Sequence, residues 1–287
     1  MIEDKKLMDS ISQYENKKED KKLEKARKRA NDIRELYQED NRGDTLSILA
    51  MGLFGTGKTR LCASGRLPLL IDSFDPKGTI VLEQVYKEEI KNGMILIRTF
   101  WDEKSKRPTE YRKWEKQWED DIRNDFLSNF GTYAIDSLST FLDALSNAVS
   151  QAKGREDGTL AIQDYKIIYN TIKDVVKVSS SQDCDFILTA HLADEIDEVT
   201  GKVMSQLAVY KGLKASIPIL FTEKYVLINK PEPNGVKHQL LTQDFRTFRA
   251  STQVGANIFK QIEEPNLTAL RKKAGFPTEH KPSLFST

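Results

Sequence analysis

Eight consecutive residues narrow the folds open to this chain more than any other feature. Gly52-Leu53-Phe54-Gly55-Thr56-Gly57-Lys58-Thr59 spells G-x-x-x-x-G-K-[ST], with the apolar run TLSILAM (45–51) before it and a short helical pattern after it. That spelling belongs at a strand-to-helix turn. Glycines at 52, 55 and 57 let the backbone curl until successive N–H groups face one way, and the following helix adds the positive end of its dipole. Such a concavity suits a polyphosphate, with Lys58 reaching the terminal phosphates and the Thr59 hydroxyl ligating Mg2+. Gly52, Leu53, Phe54, Gly55, Thr56, Gly57, Lys58, Thr59 and Arg60 are the expected nucleotide contacts.

A strand followed by a helix implies more of the same. LPLLID (67–72), MILIRTF (94–100), TYAID (132–136) and CDFILTAH (184–191) are short, apolar and bounded by turn residues, as strands are. Helical patterns fall between them: around 80–91, over 109–128, and as a pair near 138–151 and 161–180. The alternation predicts an α/β domain with a mainly parallel sheet. After His191 the pattern turns to hairpins, one turning at Thr200-Gly201 and another joining YVLINK to VKHQLLT through Pro231-Glu232-Pro233-Asn234-Gly235. Antiparallel strands are therefore expected at the carboxyl-terminal edge. A last helix starts at Pro265 and stops at Gly275, and the closing residues are too poor in apolar groups to pack.

Magnesium at a phosphate loop needs a carboxylate from a neighbouring strand end. Tyr133-Ala134-Ile135-Asp136-Ser137 supplies Asp136, which with Thr59 forms the expected metal pair. Thr189-Ala190-His191 ends the next strand, at the edge where open α/β sheets bind ligands, so His191 is a candidate γ-phosphate sensor. Hydrolysis also requires a group to orient or deprotonate water, and Asp72 and Asp75 at the end of LLIDSFDPKG are the candidates. Lys58, Asp75, Asp136 and His191 make up the candidate catalytic set. Tyr111, Trp114, Trp118 and Ile122 recur at helical spacing between basic residues, a pattern that core packing explains better than base stacking.

Composition removes several alternatives. Residues 1–42 carry 12 Lys/Arg and 11 Asp/Glu, and Leu23, Ala26, Ala30, Ile33 and Tyr37 form a thin apolar stripe, so one long charged helix is expected over residues 16–40. The organisation expected is a charged helical extension over 1–43, an ATPase domain over 44–275 and a mobile tail over 276–287. A net charge of +1 provides no global attraction to polyanions. Cys62 and Cys184 lie too far apart for a Cys-x-x-Cys pair, which argues against a zinc site or a disulfide framework. No apolar run approaches the ~18 residues of a membrane span, so the expectation is a soluble, cytoplasmic chain without a membrane partner.

The order of phosphate loop, LLID, YAIDS and ILTAH resembles the core of RecA-type P-loop ATPases. The rest is similar to the phage-encoded, RecA-like AAA branch associated with ATP-dependent single-strand annealing and recombination. DYKIIYN (164–170), YKGLKASIPILF (210–221) and EEPNLTALRKKAG extend that resemblance. It implies ATP and Mg2+ as cofactors, a homo-oligomeric ring or filament with ATP between subunits, and single-stranded DNA as substrate in the cytoplasm of a bacterial host. A single-strand-binding protein or another replication or recombination protein would be a further partner. It also implies basic residues reaching a neighbour's γ-phosphate, with Lys211 and Lys214 at the matching positions and Arg246 and Arg249 in reserve.

Two departures qualify the resemblance. Phe74 stands where RecA-type enzymes place a water-polarising glutamate, leaving Asp75 as a substitute. The segment ADEIDE after His191 puts four carboxylates where a phosphate backbone would be repelled. A second function therefore stays open, an ATP-dependent oligomeric scaffold without DNA chemistry.

Overall fold

The computed structural model describes residues 2–39, 41–155, 159–196, 201–255 and 257–285, with the backbone alone for 2–16, 37–39 and 41–42. Two compact units result, Met1–Gly43 and Asp44–Thr287. In the first, helix α1 (Ile2–Glu39) begins well before residue 16, where the expected helix starts. Leu23, Ile33 and Leu36 on it are exposed. The side chain of Tyr37, the last residue of the predicted stripe, lies outside the described residues.

The second unit alternates strand and helix as its periodicity predicts. In chain order come β1 (Ser47–Gly52), α2 (Lys58–Cys62), β2 (Leu69–Ser73), α3 (Ile80–Val85), α4 (Lys87–Lys91), β3 (Ile95–Thr99) and α5 (Glu110–Arg123). Then follow β4 (Thr132–Asp136), α6 (Leu138–Ala152), α7 (Ile162–Ser180), β5 (Asp185–Ile196), β6 (Val203–Leu207) and α8 (Lys211–Ser216). Strands β7 (Glu223–Glu232), β8 (Gly235–Leu241), β9 (Ser251–Thr252) and β10 (Ile262–Glu263) precede the last helix, α9 (Leu267–Ala274). The sheet runs β10-β8-β7-β1-β5-β4-β2-β3. The α/β fold class is the one observed: a mainly parallel sheet between helices, with antiparallel strands at its carboxyl-terminal edge.

Strand β7 departs from the expected edge hairpins. It pairs parallel with β1, Ile48 opposite Glu223 through Gly52 opposite Leu227, while β8 pairs antiparallel with its outer side. β1 thus sits between β5 and β7, and its six residues are all buried. Burial on both faces explains why these strands read as continuous apolar runs rather than as alternation. Leu49 and Met51 enter one core with Trp114, Phe141 and Ile168, whereas Ile48 and Ala50 enter the other with Leu61, Leu82 and Leu270.

Strand β5 also differs from expectation, running five residues beyond His191 to Ile196 and pairing antiparallel with β6. The hairpin is therefore present, although Thr200 at its predicted turn lies outside the described residues. Two of the four ADEIDE carboxylates have partners within the chain: Asp194 accepts from Ser205 Oγ at 2.7 Å, and Glu195 pairs with Lys214. Asp197 and Glu198 lie outside the described residues.

The aromatic stripe of α5 is core. Trp114 is fully buried, stacks on Trp118 with centroids 5.4 Å apart, and meets Phe141 edge-on at 4.9 Å. Its indole donates to Asp72, which also accepts from Tyr133 and takes a two-pronged bond from Arg98 at 2.6 and 2.8 Å. Removing one partner of such a buried pair leaves an uncompensated charge, at a cost of about 3–5 kcal/mol. Arg98→Ala is accordingly expected to lower unfolding free energy by about that amount in a denaturant titration. A loss under 1 kcal/mol would show that Trp114 and Tyr133 satisfy Asp72 unaided.

Beyond Gly275, whose φ of 77° ends α9 in the left-handed region, Phe276 packs against the core that holds Leu61 and Leu270, and polar groups add further bonds to the domain. The Leu67 amide donates to His280 Nδ1 at 3.0 Å, and Lys281 Nζ reaches the Ser128 carbonyl at 2.6 Å. Composition alone could not reveal this docking, because backbone carbonyls carry much of it.

Candidate functional site

The loop after β1 turns where glycine permits it. Gly55 and Gly57 hold φ values of 74° and 90°, which a side chain would strain. At Gly52 space is the limit, since a Cβ there would lie 2.8 Å from the Leu227 carbonyl oxygen on β7. The tip of the loop, Leu53 and Phe54, is exposed, and so is Arg60 on the outer side of α2. Thr56 is buried, its hydroxyl donating to the Leu53 carbonyl at 2.9 Å. Helix α2 has only five residues, so the loop amides contribute more to an anion cradle than the dipole of a long helix would.

Lys58 lies folded along the loop. Its ammonium donates to the carbonyls of Gly52 at 3.2 Å and Leu53 at 3.0 Å, and to His191 Nδ1 at 3.3 Å. Burial lowers its pKa, an effect that the neighbouring carboxylates of Asp136 and Asp75 only partly offset. Thr59 Oγ1 donates to Asp136 Oδ2 at 2.7 Å, and Thr189 donates to the other oxygen of the same carboxylate. Asp136 is buried at the end of β4, which pushes its carboxyl above the ordinary range even though two hydroxyls favour the ionised form.

Two neighbouring acids on one segment have opposite fates. Asp72 faces the α5 side of the sheet and is consumed by Arg98, Trp114 and Tyr133, so, contrary to the expectation from its place at a strand end, it is not available to activate water. Phe74 likewise points into the core, against Phe100 at 5.2 Å and Phe141 at 5.1 Å. Asp75 comes one residue later, after β2 has ended, and turns toward the loop. Its Oδ1 accepts from Ser137 at 2.8 Å and Thr140 at 2.6 Å, while Oδ2 lies 3.5 Å from His191 Nε2. Burial disfavours its charge, but the bonds from His191, Thr140 and Ser137 outweigh burial and hold the carboxyl below its usual range.

The His191 tautomer follows from its partners. Lys58 can only donate, so Nδ1 accepts and Nε2 carries the proton toward Asp75. A continuous run of bonds thus joins Lys58 to His191, Asp75, Ser137 and Thr140, with Thr59, Asp136 and Thr189 beside it. All four candidate catalytic residues are brought together. The basic residues nominated from resemblance are not among them: Lys214 is engaged by Glu195, Arg249 by Asp244 at 2.7 Å, and Arg246 lies over the Phe245 ring. Lys211 lines a separate cavity near β6 and α8.

Magnesium fits this donor set. One carboxylate and one hydroxyl, both hard oxygen donors, meet at Thr59 and Asp136, which suits a cation that completes its shell with water and phosphate. No cluster of three or more His, Cys, Asp or Glu that could cage a metal occurs among the described residues.

Sequence reading missed several participants. Ser137 and Thr140 follow Asp136 at the start of α6 and could pass as helix-capping residues. Asn229 and His238 belong to the β7–β8 hairpin, and only the parallel pairing of β7 with β1 brings them to the loop. Asn229 Nδ2 donates to the Gly55 carbonyl at 3.2 Å, and the His238 ring lies over Gly57, 3.5 Å from where a Cβ would stand.

No family model matches the chain, and no curated protein does. Among solved structures it is similar to a KaiC-like protein from the hyperthermophilic archaeon Pyrococcus horikoshii OT3, at 14% identity and a TM-score of 0.40. The match covers 76% of this chain and 88% of that one. No helix among the described residues is long and apolar enough to cross a membrane.

Proposed function

We propose that this chain binds Mg-ATP and hydrolyses it, as an oligomer that acts on single-stranded DNA. The observation that carries the nucleotide reading is the single run of bonds from Lys58 through His191 to Asp75, next to the Thr59–Asp136 pair. A polyphosphate in the loop would compete with the Gly52 and Leu53 carbonyls for Lys58, the ammonium being the donor that both need. Asp136 and Thr59 would hold Mg2+, which supplies electrostatic stabilisation of charge on the transferring phosphoryl group. Asp75 accepts a proton from the attacking water, and His191 links that carboxylate to the lysine that meets the γ-phosphate.

Action on DNA rests on the resemblance of the LLID, YAIDS and ILTAH motifs to recombination ATPases. The internal partners of Asp194 and Glu195 reduce the repulsion that ADEIDE would otherwise exert. ATP turnover is expected to rise several-fold on adding single-stranded DNA at low salt and to lose that stimulation as salt increases. Turnover indifferent to DNA at every salt concentration would favour a scaffold whose oligomer ATP locks. The exposed Leu23, Ile33 and Leu36 of α1 would then be the surface that engages other proteins.

A further inference from the structure

A cavity of about 670 Å³ opens beside the phosphate loop, lined by Gly57, Arg60, Tyr86, His238, Glu264 and Asn266 among others. Its size falls within the ~300–1,000 Å³ usual for small-molecule sites. None of Thr59, Asp75, Asp136 and His191 lines it, so it meets the loop away from the hydrolytic cluster. The cavity meets the loop at Gly57 and continues along α2 past Arg60 to the β7–β8 hairpin, so a nucleotide whose terminal phosphate lies at that cluster can place its nucleoside half there.

The hairpin fixes the chemistry offered there. Gly55 presents a carbonyl, so the Asn229 amide must turn its Nδ2 toward the loop, which leaves Oδ1 facing His238 Nδ1 at 2.7 Å. An amide oxygen can only accept, so Nδ1 carries a proton and Nε2 is the ring's acceptor. We propose that His238 recognises the nucleoside of a purine nucleoside triphosphate, Nε2 accepting from a ribose hydroxyl or an exocyclic amine, with Tyr86 and the Arg60 stem as apolar walls. Through Asn229 the same contact reaches the Gly55 carbonyl, so nucleoside recognition is built onto the loop that holds the phosphates. The inference rests on the proposed function, and it assigns a residue of this chain to the half of the ligand that the phosphate loop does not touch.

Binding of ATP, 2′-deoxy-ATP, inosine triphosphate and inorganic tripolyphosphate, each with Mg2+, is measured on the full chain and on His238→Ala. His238 is partly exposed on a hairpin, and an unchanged melting temperature verifies that the variant folds. Expected is about a 10-fold loss for ATP in the variant with tripolyphosphate unaffected. In the unaltered chain a weaker 2′-deoxy-ATP assigns the ribose hydroxyl, and a weaker inosine triphosphate assigns the amine. Equal losses for ATP and tripolyphosphate, or ATP binding unaffected by the substitution, would overturn the assignment, as would all three nucleotides binding alike to the unaltered chain. Failure of the phosphate-loop reading looks different, since neither ATP nor tripolyphosphate would then bind the unaltered chain.

Discussion

Asp75→Asn should bind Mg-ATP within about threefold of the unaltered chain yet turn it over on the order of 100- to 10,000-fold more slowly, the range associated with losing a positioned general base. The substitution preserves shape. The amide oxygen can still accept from Ser137 and Thr140, while Nδ2 replaces the oxygen that faces His191 and cannot accept from its Nε2–H, so the effect reports the basic oxygen together with that link. The pH profile adds a second readout. Asp75 works ionised and is held below the ordinary carboxylate range, so it stays in its active form as pH falls through that range. Asp136 must also be ionised, to hold the cation, but burial raises it, so it is the first of the two to protonate on acidification. The acid limb of kcat/KM therefore belongs to Asp136, and Asp75→Asn lowers the plateau and, by removing a neighbouring negative charge that helps to raise Asp136, moves that limb toward lower pH. A variant with unchanged turnover would exclude Asp75 from the chemistry and leave Phe74, buried in the core, as the reason the chain lacks a water-activating acid.

How much of this was legible in the sequence depends on the range over which each signal acts. The loop at 52–59 is a local spelling with a local consequence, and its strand and helix lie on either side as read. Strands β1, β2 and β4 and the first part of β5 were legible because burial on both faces makes each one a short apolar run. Strand β3, at the sheet's edge and only partly buried, keeps the apolar run ILI. Asp136 could be read too, since a strand-end acid announces itself through the apolar residues before it. The distinction between Asp72 and Asp75 could not. It depends on which side of the sheet each residue faces where β2 ends, and on Arg98, 26 residues later, being there to absorb Asp72. The roles of Asn229 and His238 were equally hidden. An edge hairpin and a hairpin whose first strand pairs parallel with β1 have the same sequence signature, and only the second delivers its side chains to the phosphate loop. The same blindness to pairing made β5 seem to stop at His191, when its polar continuation is held by β6.

Lys58 carries the largest single expectation. Its ammonium is buried, its charge is costly there, and it now answers to two loop carbonyls and His191. Such a group returns most when an anion arrives, because bonds to charged phosphate oxygens replace bonds to neutral carbonyls. Alanine at this position removes those bonds and the positive charge but keeps the backbone cradle of Gly55 and Gly57. The most direct measurement is a calorimetric titration of Mg-ATP into the unaltered chain and into Lys58→Ala, with thermal melts confirming that both are folded. Saturable binding by the unaltered chain, weakened about 100-fold or more by the substitution, is the expected result. Equal affinity in the two proteins would contradict the assignment of residues 52–59 as a phosphate-binding loop.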